Sequence, residues 1–294
     1  MAIFAETAFI VLVFSSFVVL GPCLAVIYYF VPHGWVIVAA LFVWALFLDQ
    51  APYNGKGRIL PFLRFNWYAH HRQSLRTQAP AGSGILAYKG YFSHKLRQDA
   101  PLNPSDKHLF VCHPHGIIAF STWLVFAGDA IHFLRNNPQL QLSIVTVKFN
   151  FLVPIWRDLL LSLGFLDASY KSIRAIFDQQ RSAVLVVGGS QEALEAHPNT
   201  NRLVLNKRKG FIKLALESGV KVVPVYHFGE TNMFTQVANP RGSMLRSFQE
   251  FLLRRLTFST PLLTSGVIPM STPILTVIGA PLSFPKIASP SVED

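Results

Sequence analysis

The sequence predicts an α/β fold, a mostly parallel sheet flanked by helices, preceded by an N-terminal transmembrane hairpin. Three observations lead there. Apolar strand-like runs alternate with helix-like stretches over most of the chain. Two apolar runs without Lys or Arg open it. The 294 residues are 51% hydrophobic and only 14% charged, against the usual quarter charged for a soluble domain, and mean hydropathy is +0.37.

The first apolar run, Thr7 to Val31, carries no charge. At about 25 residues it is long enough to span a bilayer. Gly21-Pro22 interrupts it, which a membrane helix tolerates. Pro32-His33-Gly34 reads as a turn, and Trp35 to Leu48 is a second, shorter run. A cleaved signal peptide fits less well, because it needs a basic start and the first six residues carry only Glu6. Lys56, Arg58, Arg64 and Arg72 follow the second run, whereas the turn has no Lys or Arg. The positive-inside rule then puts the turn in the lumen and both chain ends in the cytosol. Residues 1–50 read as the hairpin anchor and 51–294 as one cytosol-facing domain.

Within that domain, strands are expected at 107–112, 142–148, 183–187, 220–227 and 274–278. Helices are expected at 117–127, 155–163, 169–180, 210–218 and 243–256. The Pro- and Ser-rich tail after Pro285 reads as a loose end. Net charge is +11 and the pI is about 9.9, a balance that favours anionic partners such as acidic lipid headgroups or the phosphates of CoA. Nucleic acid is disfavoured, since no zinc-knuckle, RNP-like or basic-helix pattern occurs. Cys23 and Cys112 are too few and too far apart for a disulfide framework.

His113-Pro114-His115-Gly116 directly follows a strand and precedes an apolar helix. That places imidazoles at the carboxyl end of a strand, where α/β sheets bind their ligands. A neutral imidazole is a natural general base. Gly116 permits close approach of a substrate. The bland alternative is a pair of histidines capping a buried strand. Metal binding is not expected, because no Cys cluster or HExxH helix accompanies the pair. A second buried strand ends in Gly188-Gly189, with Glu192 beyond. A carboxylate there would orient the His115 imidazole, or would be a solvated residue of a first helical turn. A covalent Ser190 mechanism is disfavoured because the nucleophile elbow's last glycine is missing. Lys207, Arg208 and Lys209 precede a helix. They would bind CoA phosphates, or face anionic lipid.

Taken together, His113-Pro114-His115-Gly116, Pro154-x-x-Arg157, Gly188-Gly189 with Glu192, Arg208-Lys209-Gly210-Phe211-x-x-x-Ala215, and Val223-Pro224-Val225 with Phe228-Gly229-Glu230 resemble the blocks of the diacylglycerol acyltransferase type 2 family. The blocks keep the family's order over roughly residues 88 to 285. That family includes monoacylglycerol acyltransferases and wax synthases. The resemblance implies a glycerolipid-acyltransferase-like fold in the endoplasmic-reticulum membrane, with the active site toward the cytosol and a link to lipid droplets. It implies acyl-CoA as co-substrate, no cofactor, and diacylglycerol, monoacylglycerol or a fatty alcohol as acceptor. It makes His115 the catalytic histidine, His113 its support and Glu192 the acidic partner, with Gly116, Arg157, Gly188, Gly189, Lys207, Arg208 and Lys209 as substrate-binding candidates. Membrane lipids are expected partners, and a homo-oligomer stays open. A non-catalytic lipid-droplet or lipid-binding protein is the competing reading. The family's Tyr-Phe-Pro stands here as Tyr91-Phe92-Ser93, and its Gly-Arg-Gly segment after about Leu263 is absent.

Overall fold

The structure, a computed structural model, describes residues 21–58, 85–89, 92–128, 131, 133–256, 260–266 and 268–291. Eight strands form one sheet: β1 (Ile85–Lys89), β2 (Ser93–Gln98), β3 (His108–His113), β4 (Leu142–Thr146), β5 (Phe165–Asp167), β6 (Ser182–Val186), β7 (Lys221–Phe228) and β8 (Ile274–Ile278). Their order is β1-β2-β8-β7-β3-β6-β4-β5. Only β1 with β2 and β7 with β8 pair antiparallel; every other neighbour is parallel. The expected α/β class with a mostly parallel sheet is what the chain adopts.

The centre of the sheet follows from sequence. In β3, His-Leu-Phe-Val-Cys-His is buried at every position, as a strand covered by helices on both faces requires. Phe110 packs with Phe126 and Phe133, ring centroids 5.4 and 6.1 Å away. The helices are α1 (Gly34–Val43), α2 (Phe120–Phe126), α3 (Phe133–Asn136), α4 (Trp156–Ser162), α5 (Tyr170–Asp178), α6 (Gly189–Ala193), α7 (Gly210–Ser218) and α8 (Met244–Leu256). In α5 the Ser169 hydroxyl accepts the Ser172 amide at 3.4 Å as an N-cap, and Ile173, Ile176 and Phe177 form the buried stripe. α7 ends at Gly219, whose φ of 60° closes the helix.

Residues 21–30 are helical, and His33 with φ 56° turns the chain into α1. A side chain at Gly34 would overlap the Ile27 carbonyl, so the turn needs glycine. α1 runs for ten residues and continues as a five-residue π-helix, Trp44–Leu48. That second run reaches about 22 Å, short of a bilayer core of roughly 30 Å. No helix among the described residues is long and apolar enough to cross a membrane. The expected transmembrane hairpin therefore has no support here, and residues 7–20 of its first run lie outside the described residues.

Arg157, expected in substrate binding, clamps the N-terminal segment in this structure. Its guanidinium is fully buried at the start of α4. Nη1 donates to the Ala45 carbonyl, and Nη2 donates to the Asp49 carbonyl at 3.2 Å and to Asp49 Oδ2 at 2.6 Å. Arg157 and Arg58 both lie over the Trp44 ring, 5.2 and 5.0 Å from its centroid. Arg58 completes the group with Asp49 at 2.5 Å. A guanidinium fork satisfies this set and a lysine would not. Removing one partner of a buried pair costs about 3–5 kcal/mol, so Arg157→Ala and Arg157→Lys are both expected to lower the thermal midpoint in detergent by several degrees. A parent-like midpoint in both variants would show that the clamp does not hold the N-terminal segment.

Candidate active site

The parallel register sets the site. His113 at the end of β3 pairs with Tyr226 of β7, and Cys112 pairs with Val186 of β6. The segments that follow the two flanking strands therefore reach the same sheet edge as the His-Pro-His-Gly loop. Each brings a buried glutamate: Glu192 is 1% exposed and Glu230 is 2% exposed.

Glu192 lies in the short α6. Its Oε2 accepts the His115 main-chain N–H at 2.7 Å, and its Oε1 accepts the Val204 N–H at 2.7 Å. The same Oε1 lies 3.3 Å from His113 Nδ1. Burial opposes the charge, but the His113 side chain and the Val204 and His115 amides outweigh it and hold this carboxyl below its ordinary range. The glycines before it are explained by this fold-back. A Cβ on Gly188 would overlap the Glu192 carboxylate, and Gly189 adopts φ 57°.

The expected contact of Glu192 with the His115 ring is replaced by one with the His115 main chain. The ring it faces is that of His113. His115 instead places Nδ1 3.2 Å from the Gly116 carbonyl oxygen, and its imidazole is half-buried. Burial lowers the pKa of His115, with the Gly116 carbonyl and Glu192 as partial offsets. The ring is therefore neutral and able to take a proton at neutral pH. His113 is buried.

Glu230 holds the other side of the loop. It follows β7 and Gly229, whose φ is 93°. Oε1 accepts the Phe120 N–H at 2.9 Å and Oε2 the Ser121 N–H at 2.7 Å, which caps α2. Gly116 has φ 56°, and a Cβ there would lie 2.6 Å from Glu230 Oε1. Burial pushes the Glu230 carboxyl up to about 7 against the pull of the Ser121 side chain and these amides. Behind the loop runs a buried polar chain. Thr122 Oγ1 is 3.0 Å from His227 Nε2, His227 Nδ1 is 2.8 Å from Thr276 Oγ1, and Thr276 Oγ1 is 2.9 Å from His94 Nε2. Burial, then the nearby His113, lowers His227 to about 3, so it stays neutral.

Lys207, Arg208 and Lys209 are exposed. Arg208 Nη2 donates to the Gly188 carbonyl at 3.2 Å, which links the basic cluster to the Glu192 turn. A surface cleft of about 350 Å³ is lined by Gln191, Leu203–Lys207 and Arg241, within the size range of ligand sites. The structure thus gathers His113, His115, Gly116, Gly188, Gly189, Glu192 and Arg208 around one loop, with Lys207 and Lys209 flanking. Arg157 belongs to the distant clamp. Sequence reasoning did not single out Val204, Glu230, His94, Thr122, His227 or Thr276. The only signal for any of them was the Phe228-Gly229-Glu230 block.

Comparison with known proteins bears on what this site does. Residues 27–294 match the model of a family described as diacylglycerol acyltransferase. Diacylglycerol O-acyltransferase 2B of Umbelopsis ramanniana is 33% identical over 291 residues, 95% of this chain and 78% of its own length. Diacylglycerol O-acyltransferase 2 of Dictyostelium discoideum is 36% identical over 249 residues, 80% of this chain and 76% of its own length. A 2-acylglycerol O-acyltransferase 1 of Bos taurus is 31% identical over 283 residues, 92% of this chain and 79% of its own length.

Proposed function

The chain belongs to the diacylglycerol acyltransferase family and is an acyltransferase, and from that premise we propose that it moves a fatty acyl group from acyl-CoA to diacylglycerol, forming triacylglycerol with a histidine as general base. The observation that carries the mechanism is the His-Pro-His-Gly loop, held at the carboxyl end of the central strand by the buried Glu192. His115 takes the proton of the lipid hydroxyl as its oxygen attacks the thioester carbon. A C–O bond forms, the C–S bond breaks, and the proton passes from the imidazole to the departing CoA sulfur. No covalent enzyme intermediate is needed. His115 suits this role because it is half-buried and its pKa is lowered.

A second reading makes His113 the base. The support is its Nδ1 lying 3.3 Å from Glu192 Oε1, the carboxylate–imidazole arrangement that favours an imidazolium. Replacing each histidine by alanine separates the two. The expected result is loss of roughly 10²–10⁴-fold in kcat for His115→Ala, with a smaller loss for His113→Ala. The reverse ranking transfers the role to His113. In the parent, kcat is lost as pH falls through the pKa of the base. A lowered pKa places that loss below 6.5, the ordinary histidine value; an acid limb above it would contradict a buried neutral base.

Monoacylglycerol is the alternative acceptor, as the name of the bovine relative suggests; turnover across a panel of acceptors decides. For the donor, Arg208 is tied to the Glu192 turn and Lys207 lines the neighbouring cleft, which supports CoA phosphates binding to Lys207, Arg208 and Lys209. Charge removal at one of them is expected to raise KM for acyl-CoA about tenfold, equivalent to about 1.4 kcal/mol. An unchanged KM in neutral-lipid micelles would leave the cluster to anionic lipid.

The proposed location is the endoplasmic-reticulum membrane, with the site toward the cytosol. Exposed Tyr29, Phe30, Phe47 and Leu48 favour contact with lipid, and Lys56 and Arg58 favour the cytosolic side. A glycosylation site engineered beside His33 is expected to be modified in microsomes and one near Lys56 to remain bare. The opposite pattern would put the site in the lumen.

A further inference from the structure

We propose that Glu230 is a positioning residue for acyl transfer: its carboxylate takes the two main-chain N–H groups that open α2 and so fixes the His-Pro-His-Gly loop from the β7 side, opposite Glu192 on the β6 side. The inference rests on the acyl-transfer reading above.

Each link is geometric. β3 lies between β6 and β7 in the sheet. Glu192 follows β6 and grips the loop at His115 N. Glu230 follows β7 and grips the chain five and six residues further on, at Phe120 N and Ser121 N, at 2.9 and 2.7 Å. The loop backbone also rests on the Glu230 side chain, since a Cβ on Gly116 would sit 2.6 Å from Oε1 and 2.7 Å from Cγ. Inside the loop, Ala119 N donates to the His115 carbonyl at 2.7 Å. The segment carrying both imidazoles is thus pinned at its two ends by buried carboxylates and closed on itself between them.

This arrangement determines which amides are left for the reaction. An oxyanion formed at the thioester carbon needs donors already in place. Glu230 occupies the amides of Phe120 and Ser121, so those two are not free to serve. Among the described residues of the loop, the Gly116, Ile117 and Ile118 N–H groups remain as donors, and they follow His115 on the same backbone that Glu230 supports. A displacement of about 1 Å at such a site costs roughly a hundredfold in rate.

Glu230→Gln keeps the size of the side chain but turns an NH2 group toward one of the two N–H donors, so one amide loses its acceptor. In the purified full-length enzyme, kcat is expected to fall roughly a hundredfold while KM for acyl-CoA stays within about twofold. The thermal midpoint should fall by only a few degrees, as one unpaired buried amide implies, so that the enzyme stays folded at the assay temperature. In parallel, amide hydrogen exchange of the peptide covering 113–121 should quicken in the variant, with the other sheet peptides unchanged. Parent-like kcat overturns the proposal. So does a lowered midpoint with activity falling only in step with the folded fraction, which would make Glu230 a stability residue. Unchanged exchange in 113–121 also overturns it, and that measurement needs no turnover. If the parent proves inactive on every acyl-CoA and glycerolipid, the acyl-transfer reading fails, while the exchange result still judges the Glu230 contact separately.

Discussion

A buried turn between a strand and a helix exposes main-chain N–H groups that neither element can satisfy, and leaving them unpaired in a dry site costs about 1–3 kcal/mol each. In the His-Pro-His-Gly loop and the helix that follows it, two carboxylates take three of these groups, at His115, Phe120 and Ser121. Glu192 pairs His115 and Val204, and Glu230 pairs Phe120 and Ser121. The same burial acts on both acids, yet their titration diverges. Glu192 also faces the His113 ring and stays below the ordinary carboxylate range, whereas at Glu230 burial outweighs the Ser121 side chain and the Ser121 and Phe120 amides and pushes the carboxyl up to about 7. One loop is therefore supported by a firmly ionised acid on one side and a readily protonated one on the other.

The glycines of the site follow from these acids. Gly188 is needed because the Glu192 carboxylate folds back onto its Cα, and Gly116 because the Glu230 side chain fills the space a Cβ would take. A Gly-Gly run after a strand commonly suggests a phosphate cradle. Here its first glycine makes room for a carboxylate of the protein itself, and the basic Arg208 approaches the carbonyl of that glycine from outside. The acidic side of the turn and its basic surface thus meet at Gly188, whose Cα lies under the Glu192 carboxylate and whose carbonyl accepts from Arg208.

Much of the fold was legible because its central strands are apolar and bounded by glycine or polar turns. The expected strand at 274–278 and helix at 210–218 match β8 and α7 residue for residue. β2 was missed because its inward positions are His94 and Leu96, and a buried histidine hides the apolar alternation; β5 is only three residues long. The identity of the site loop was legible in its tetrapeptide, but its hydrogen bonds were not. Whether Glu192 meets a ring or an amide depends on the left-handed turn at Gly116 and Gly189. The role of Arg157 was out of reach for another reason, since its partners Ala45 and Asp49 are more than a hundred residues away in sequence.

Those distant partners matter for how a lipid enzyme is built. The stretch after the π-helix is stitched to the sheet along its length. Pro52 accepts from Asp167 N at 3.0 Å and from the Ser172 hydroxyl at 3.1 Å, and Gly55 accepts from the buried Arg181 at 2.6 Å. Leu46, Phe47 and Leu48, all exposed, stand between Ala45 and Asp49, the two residues that Arg157 grips. This exposed apolar surface is therefore joined to the central sheet by buried charged contacts and not by a loose tether. Such rigid attachment fixes where the exposed apolar residues stand relative to the sheet edge that carries the His-Pro-His-Gly loop.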